Sequence, residues 1–301
     1  MSTEIPISFV EQFKDNFILL SQQKGSRMRG VGRDDPDFLR GKAGYFYRIG
    51  STAMQRRTSR HADTPLISTP HSRRRVTLED YVWADLIDTA DRAKMLADPE
   101  GTYVTNAVYA AGRQIDSAIY SAFGGNAYSM DEDDSASAVA LGAGQKIAVN
   151  NHVFDSGSGD VGLSVGKLLA AKDVLLTADA IDDDEPLYCV TNGKQLMKLL
   201  SETTVTSRDY NDVYALVQGR INRFMGFQFV RYESLSVDSS SDQLVYCFSR
   251  NAVGLAIGQD INVKISERAD KNYSTQVYTE VSVGATRVED EKVVEIACDP
   301  T

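Results

Sequence analysis

The sequence has few of the residues that support covalent cross-links or metal sites. Its 301 residues include three cysteines and three histidines. Cys189, Cys247 and Cys298 are odd in number and widely spaced, which suits neither a disulfide framework nor a zinc knuckle. We therefore expect each cysteine to be a small buried hydrophobic residue.

Long apolar runs are also missing. No uninterrupted apolar stretch approaches the length that a helix needs to cross a bilayer, and the segment before Phe9 lacks a basic start followed by an apolar core. These absences argue against membrane and secreted proteins, so we expect an untargeted product of the cytosol. With 42% hydrophobic residues, the chain can still bury a sizeable core, in one large domain or two modest ones.

Positively charged residues are outnumbered overall, with 32 Lys and Arg against 42 Asp and Glu, but they are concentrated in one segment. The chain has a net charge of −10, yet residues 21–75 carry thirteen Lys or Arg against four Asp. That segment is therefore +9 and the remainder −19. A basic segment on an acidic body is expected if the segment of one copy contacts the body of another. A nucleic-acid patch or a solvated basic surface explains the composition equally well.

The first candidate element is an amphipathic helix over residues 7–20. Phe9, Phe13 and Phe17 recur at a spacing of four, which places their rings on one helical face. Gln22, Gln23 and Gly25 end the pattern, ahead of an Arg- and Gly-rich stretch at 25–32. A short helix cannot form a core alone, so it must dock on its own subunit or on a neighbour. We expect docking between subunits.

Residues 41–82 have the pattern of a long hairpin. A strand is predicted over 44–49 and a second over 76–83, with two prolines between them. The stretch has almost no large apolar residues apart from its ends. Because an isolated polar ribbon is marginal in water, it needs a surface to lie on. This is the strongest indication of self-assembly in the sequence.

The rest of the chain mixes helices and strands, which predicts the α+β class without repeats. A long helix is predicted over 100–123, opened by Asp98 and Pro99 and closed by Gly124 and Gly125. An acidic loop follows at 130–137. Further helices are predicted at 161–176 and 195–201, and further strands at 147–154, 187–191, 243–248, 254–265, 275–283 and 293–297, with a mixed region at 213–229.

Two glycine patterns suggest chemistry. Residues 162–166 match a nucleophile elbow around Ser164, but all three histidines precede that serine, so we interpret Ser164 as a polar-face helix residue. Residues Gly157–Gly162 match a dinucleotide fingerprint between a predicted strand and helix. Asp160 adds negative charge where phosphates would bind, and no acid follows the next strand. A nucleotide-binding oxidoreductase using this loop is the alternative function.

Candidate metal ligands do not form a recognisable set. Asp131, Glu132, Asp133 and Asp134 are adjacent instead of alternating, unlike a calcium loop. His61 and His71 lack a ligand partner at helical spacing. We therefore expect no metal, no cofactor and no catalytic residue, and no enzymatic activity.

The hairpin contains two distinctive stretches, His61–Leu66 and Thr69–Val76, the second with the arginine run Arg73–Arg75. These stretches resemble the hairpin of tailed-phage major capsid proteins. Three further stretches agree in order: Phe9 to Gly25 followed by Ser26, Trp83–Asp88 before the long helix, and Gly284-Ala285 followed by Val293-Val294. The similarity covers nearly the whole chain.

The resemblance implies the fold shared by tailed-phage and herpesvirus shells. It implies an N-terminal arm at 1–35, an extended hairpin loop at 36–85, a peripheral domain with a spine helix at 86–137, and an axial domain at 138–251. Return strands of the peripheral domain would occupy 252–285 and a C-terminal axial segment 286–301. Some relatives carry an N-terminal scaffolding segment, whereas this chain begins almost at the arm.

The resemblance also implies partners. The chain would assemble with itself into hexamers and pentamers of an icosahedral head, in the host cytoplasm and then the virion. A separate scaffolding protein, a portal protein at one vertex, packaged double-stranded DNA bound without sequence specificity, and a decoration protein complete the expected partners, with no membrane. The residues expected at contacts between subunits are Phe9, Phe13, Phe17, Arg56, Arg57, Arg60, Arg73, Arg74 and Arg75.

Overall fold

The structure is a computed structural model. It describes residues 19–34, 41–60, 63–64, 66–88, 100–130, 135–154, 158–181, 185–201 and 223–300. The helices are α1 (Glu100–Gly124), α2 (Val165–Thr177) and α3 (Gly193–Ser201). The strands are β1 (Arg33–Asp34), β2 (Ala43–Ile49), β3 (His71–Thr77), β4 (Glu79–Ile87), β5 (Ala127–Met130), β6 (Ala136–Val139), β7 (Lys146–Ile147), β8 (Leu187–Thr191), β9 (Arg223–Phe224), β10 (Phe227–Arg231), β11 (Gln243–Ser249), β12 (Val253–Arg268), β13 (Ser274–Arg287) and β14 (Val293–Cys298).

The chain divides into two compact units. The first comprises Met1–Ser26, Asp80–Gln114 and Gln259–Val281. The second comprises Arg27–Glu79, Ile115–Gly258 and Ser282–Thr301. Both units therefore take residues from distant parts of the sequence. The predicted α+β class is confirmed.

One four-stranded sheet has the order β1-β12-β13-β4. The first unit contains β12 from residue 259, β13 up to residue 281 and β4 from residue 80. A short 3-10 turn, Ala269–Lys271, links β12 to β13. Asn272 and Tyr273 follow it with positive φ angles of 51° and 56°. Arg268 and Asp270 form an ion pair of 2.6 Å beside the turn, and the Arg268 guanidinium holds the pKa of the Asp270 carboxyl at about 2.

The second unit is built on a six-stranded sheet of order β7-β14-β11-β8-β10-β9. β14 pairs in parallel with β7 and antiparallel with β11, and β8 pairs antiparallel with β11 and in parallel with β10. The main core includes Leu168, Leu175 and Leu199 of the helices and Phe227 of the sheet. All three cysteines are free and buried in this core, as predicted.

A separate sheet of order β2-β3-β5-β6 forms the base of the hairpin. β2 pairs antiparallel with β3 from Ala43↔Thr77 to Ile49↔His71. The second strand of the hairpin, β3, begins at His71, earlier than predicted. The strand predicted over 76–83 is divided at Leu78 between the end of β3 and the start of β4. β5 pairs with β3 and β6. The hairpin base is therefore not an isolated ribbon, since its own chain supports it.

The bounds of the other predicted helices and strands agree with the structure to different degrees. The long helix and the strand at 187–191 match α1 and β8 closely. The predicted strand at 147–154 shrinks to the two residues of β7, and the following helix begins at Val165 instead of 161. Ser164 is the buried N-cap of α2, accepting a 3.2 Å bond from the Lys167 amide, so its interpretation as a polar-face residue is wrong.

Candidate assembly surfaces

The two faces of the hairpin sheet differ because side chains alternate along each strand. Phe46, Arg74 and Val76 point to the buried face. Gly254 receives the ring of Phe46, so closely that a Cβ at this position would overlap it. The opposite, outer face carries aromatic and basic residues in register: Tyr45 beside Arg75, Tyr47 beside Arg73, and Tyr128 on the other side of Arg75.

Arg74 is 2% exposed and forms an ion pair with Asp290 of its own chain. Asp290 also accepts a hydrogen bond from Nε of Arg287, so one carboxylate serves two guanidinium groups. Burial lowers the pKa of the Arg74 guanidinium, and Asp290 opposes that shift. Among the described residues, Nε and Nη1 of Arg74 find no hydrogen-bond partner.

Arg287 joins Asp290 to three backbone oxygens. Its Nη1 donates to the backbone oxygens of Phe123 at 2.7 Å and Gly125 at 2.9 Å. Its Nη2 donates to the backbone oxygen of Val139 at 2.9 Å. The Arg287 guanidinium thus binds two carbonyl oxygens at the C-terminal end of α1, those of Phe123 and Gly125. The helix dipole favours a cation at this end. Sequence reasoning missed Arg287, because nothing local marks a surface-type residue as buried.

The structure separates the three arginines that the sequence grouped. Arg74 is engaged inside its own subunit, so we remove it from the expected contacts with a neighbour. The cause is the alternation of β3, which turns Arg74 inward and its two neighbours outward. Arg73 and Arg75 are half-buried on the outer face, where the Arg73 guanidinium lies 5.2 Å from the centre of the Tyr45 ring.

The hairpin tip, which we define as the described residues between 50 and 70, connects the two ends of the last strand pair, Ile49↔His71. The backbone amide of Gly50 donates to the Pro70 oxygen at 2.9 Å and closes its base. All residues from 51 to 60 are exposed and belong to no strand, including Arg56, Arg57 and Arg60. Met54 is 99% exposed. The described residues 51–60 of the tip therefore present charged and apolar side chains to solvent.

The N-terminal segment from Gln22 to Ser26 lies against α1. Nη1 of Arg113 donates to the Gln22 side-chain oxygen at 2.8 Å. Gly112 permits a close backbone approach, since a Cβ there would lie 2.5 Å from the Ser26 nitrogen. Phe9, Phe13 and Phe17 lie outside the described residues. Their docking between subunits stays a prediction.

A buried carboxylate holds the next part of the chain. Asp116 is fully buried on α1, and its two oxygens accept bonds of 3.0–3.1 Å from the Arg27 amide. The Met28 amide adds a third bond of 3.0 Å. Charge-assisted bonds from backbone amides offset the cost of burying the acid. In the sequence, the sign of this role is an acidic residue, Asp116, next to the apolar stripe of the predicted helix.

The glycine-rich loop is tied to the C-terminal strand. Lys167 is fully buried, and its amine donates to the backbone oxygens of Val161 at 2.6 Å and Ala297 at 2.8 Å. Burial lowers the pKa of this amine. Gly157 lies outside the described residues, and in the described part of the loop nothing supports the oxidoreductase alternative. The lysine instead anchors β14 to the start of α2.

Among the described residues, no group of three or more His, Cys, Asp or Glu side chains is placed to hold a metal ion. No described helix is both long and apolar enough to cross a membrane.

Comparisons with known proteins agree with the architecture. The family model described as phage capsid protein matches residues 5–300. The capsid of cyanophage P-SCSP1u superposes with a TM-score of 0.74 at 14% identity, covering 100% of this chain and 96% of that chain. The capsid of cyanophage Pam1 gives 0.72 at 12% identity, covering 99% and 97%.

A third solved structure, the capsid of Ralstonia phage GP4, gives a TM-score of 0.69 at 12% identity, covering 98% of this chain and 97% of that chain. A comparison with curated protein sequences finds no match. The structural likeness supports the fold, and the family model spans nearly the whole chain. This chain therefore belongs to the phage capsid protein family.

Proposed function

We propose that this chain is a major capsid protein that assembles with itself into hexameric and pentameric capsomers of an icosahedral head enclosing double-stranded DNA. The family match over residues 5–300 is the observation that carries the proposal. The family and its structural neighbours are structural proteins, and we propose that the chain has no catalytic site of its own.

The hairpin is the proposed means of contact between copies. Its base is held within the subunit by β5, β6 and the Arg74–Asp290 pair. A fixed base holds the exposed tip at a defined place, so the chain loses less conformational entropy when the tip docks. We propose that Arg56, Arg57 and Arg60 of the tip contact a neighbouring copy, together with Arg73 and Arg75 of the outer face and the arm residues Phe9, Phe13 and Phe17.

Charge explains why such a contact would be specific to copies of this chain. Outside residues 21–75 the chain carries −19, so each copy offers an acidic surface to the basic segment of the next. Attraction of this kind sets register and speeds association more than it adds affinity. It is screened over about 8 Å at physiological salt, so early assembly should weaken as salt rises.

The remaining partners follow from the same proposal. A separate scaffolding protein would guide assembly, a portal protein would occupy one vertex, and a decoration protein would bind the outside. Subunits would assemble in the host cytoplasm and end in the virion. Packaged DNA would be bound without sequence specificity, through charge alone.

Charge reversal at the tip tests the proposal. Replacing Arg56, Arg57 and Arg60 by Glu should leave a folded subunit, because all three side chains are exposed. Each exposed pair contributes about 0–1 kcal/mol, so the triple change should weaken every contact on the order of tenfold. Because the contact repeats around each capsomer, few closed shells should form. Sedimentation and electron microscopy give the shell yield.

A matched control makes the same change in charge elsewhere. Lys194, Arg223 and Arg250 are exposed residues of the second unit outside the hairpin, and their replacement by Glu should reduce shell yield less. Normal shells from the tip variant would show that its arginines only solvate the hairpin. Nucleic acid co-purifying with unassembled wild-type subunits, and lost from the tip variant, would instead favour a nucleic-acid-binding role.

A further inference from the structure

Three arginines and one acid form a charged cluster on the buried face of the hairpin sheet. Arg48 and Arg74 lie diagonally across β2 and β3, because Arg48 pairs with Ser72, two residues before Arg74. Arg287 and Arg48 both lower the pKa of the Arg74 guanidinium, and Asp290 opposes them. We call Arg48, Arg74, Arg287 and Asp290 the arginine cluster. Three guanidinium groups and one carboxylate give it a net charge of +2.

The unsatisfied donors of this cluster belong to Arg74. All three guanidinium nitrogens of Arg287 are bonded, to Asp290 and to backbone oxygens. Arg48 is half-buried, and it donates through Nη1 to the Val288 oxygen at 2.8 Å and through Nε to the Ser72 hydroxyl at 3.2 Å. Arg74 is 2% exposed, and its Nε and Nη1 have no partner among the described residues.

The surroundings of Arg74 are apolar. Phe46 and Val76, which point inward from the same two strands, form a buried core cluster with Ala256 and Val288. Away from water, a charge without compensation is far more costly to bury than an unpaired neutral group. A buried water molecule satisfies an N–H donor but brings no negative charge. A bound anion supplies both the hydrogen-bond acceptor and the charge.

We propose that the arginine cluster binds inorganic phosphate, which accepts hydrogen bonds from the unpaired nitrogens of Arg74. The dianionic form of phosphate balances the net charge of the cluster, and its oxygens suit guanidinium donors. Because Arg74 is 2% exposed, the site takes a small ion and not the phosphate of a nucleotide or a nucleic-acid strand. The ion stabilises the base of the hairpin against the turn that carries Asp290. This ligand goes beyond the proposed function, because a free subunit binds it without assembling.

Equilibrium dialysis with radiolabelled phosphate tests the site. The full chain is refolded from urea into labelled phosphate at constant ionic strength, so that the ion reaches the buried donors during folding. We expect saturable binding of one phosphate per subunit. Arg74→Met should raise the dissociation constant at least about tenfold, because a charge-assisted contact is lost. Arg73→Met, on the outer face of the same strand, is the matched control and should leave the constant unchanged.

Urea unfolding of the same proteins separates a loss of binding from a failure to fold. Without phosphate, wild type and Arg74→Met should unfold at nearly the same midpoint, and phosphate should raise only the wild-type midpoint, since a ligand of the folded state stabilises it. If Arg74→Met does not fold, the response of the wild type to phosphate against chloride at equal ionic strength still decides. No such response, or equal binding by Arg74→Met, overturns the inference.

Competition identifies the source of the anion. Sulfate, a tetrahedral dianion of similar size, should displace the labelled phosphate from the wild type. Adenosine monophosphate at the same concentration should not, because its phosphate cannot enter without the nucleoside. Displacement by the nucleotide would assign the site to a phosphate ester and overturn the proposal of a free ion. None of these outcomes depends on shell formation, so they are distinguishable from a failure of the proposed function.

Discussion

The Arg74–Asp290–Arg287 cluster predicts an asymmetry between its members. Asp290 accepts hydrogen bonds from both arginines, and Arg287 is also bonded to three backbone oxygens. Arg74 has only Asp290 among the described residues, with Nε and Nη1 unsatisfied. Removing the carboxylate therefore leaves Arg74 as a buried charge without compensation. Removing Arg74 leaves Asp290 still paired with Arg287.

The expected magnitudes follow from that difference. Breaking a buried pair costs about 3–5 kcal/mol when the remaining charge is left without a partner. That condition holds for Asp290→Asn but not for Arg74→Met, after which Asp290 keeps Arg287. We expect Asp290→Asn to lower the free energy of unfolding of the free subunit by about 3 kcal/mol, and Arg74→Met to lower it by less than about 1 kcal/mol. Urea unfolding followed by circular dichroism measures both values.

The neighbouring residue Glu289 supplies the control. Its side chain is 44% exposed and pairs with Lys292 at 3.6 Å, so Glu289→Gln should change the free energy of unfolding by no more than about 1 kcal/mol. Equal losses for Asp290→Asn and Arg74→Met would refute the reasoning. They would mean that Arg74 contributes its own favourable interactions and that the two arginines do not depend on one shared acid.

Two further predictions concern close packing and pH. Gly112→Ala should loosen the segment from Gln22 to Ser26 and speed its proteolysis, because the new Cβ would lie 2.5 Å from the Ser26 backbone nitrogen. Gly101→Ala on the same helix is the control and should be tolerated, since its Cβ would have no atom within 4 Å. Burial raises the pKa of the Cys298 thiol from 9.0 to about 12. Its neutral form therefore stabilises the fold below pH 9.0, and that stability is lost as pH rises towards 12. Urea titrations between pH 9 and 12 should show that the free energy of unfolding falls less steeply with pH for Cys298→Ala than for the wild type. The same dependence on pH in both proteins would contradict this prediction.

Capping residues and apolar runs in the sequence correctly predicted the elements whose formation depends on neighbouring residues. The helix at 100–123 has an N-cap signal and a terminal glycine pair, and α1 ends at Gly124 as expected. The strand at 187–191 coincides with β8 because an apolar run reads as a buried strand without further context. These predictions needed no information from distant residues.

Long-range contacts determined what the sequence did not reveal. Arg74 was predicted to face a neighbour, but a carboxylate 216 residues away makes its burial possible. The start of β3 at His71 was missed because its run of polar residues has no apolar strand pattern, and pairing with β5 supplies what the local sequence lacks. Ser164 was placed inside a helix because the cap depends on one hydroxyl orientation, which composition does not encode. Each error arose where partner residues override local preference.

The central claim is that this chain builds a shell from copies of itself. Native mass spectrometry of the wild-type protein, with electron microscopy of the same sample, tests it most directly. We predict species of five and six times the subunit mass and closed icosahedral particles. A chain that stays monomeric across protein concentration and salt, with or without a scaffolding protein, would contradict the account.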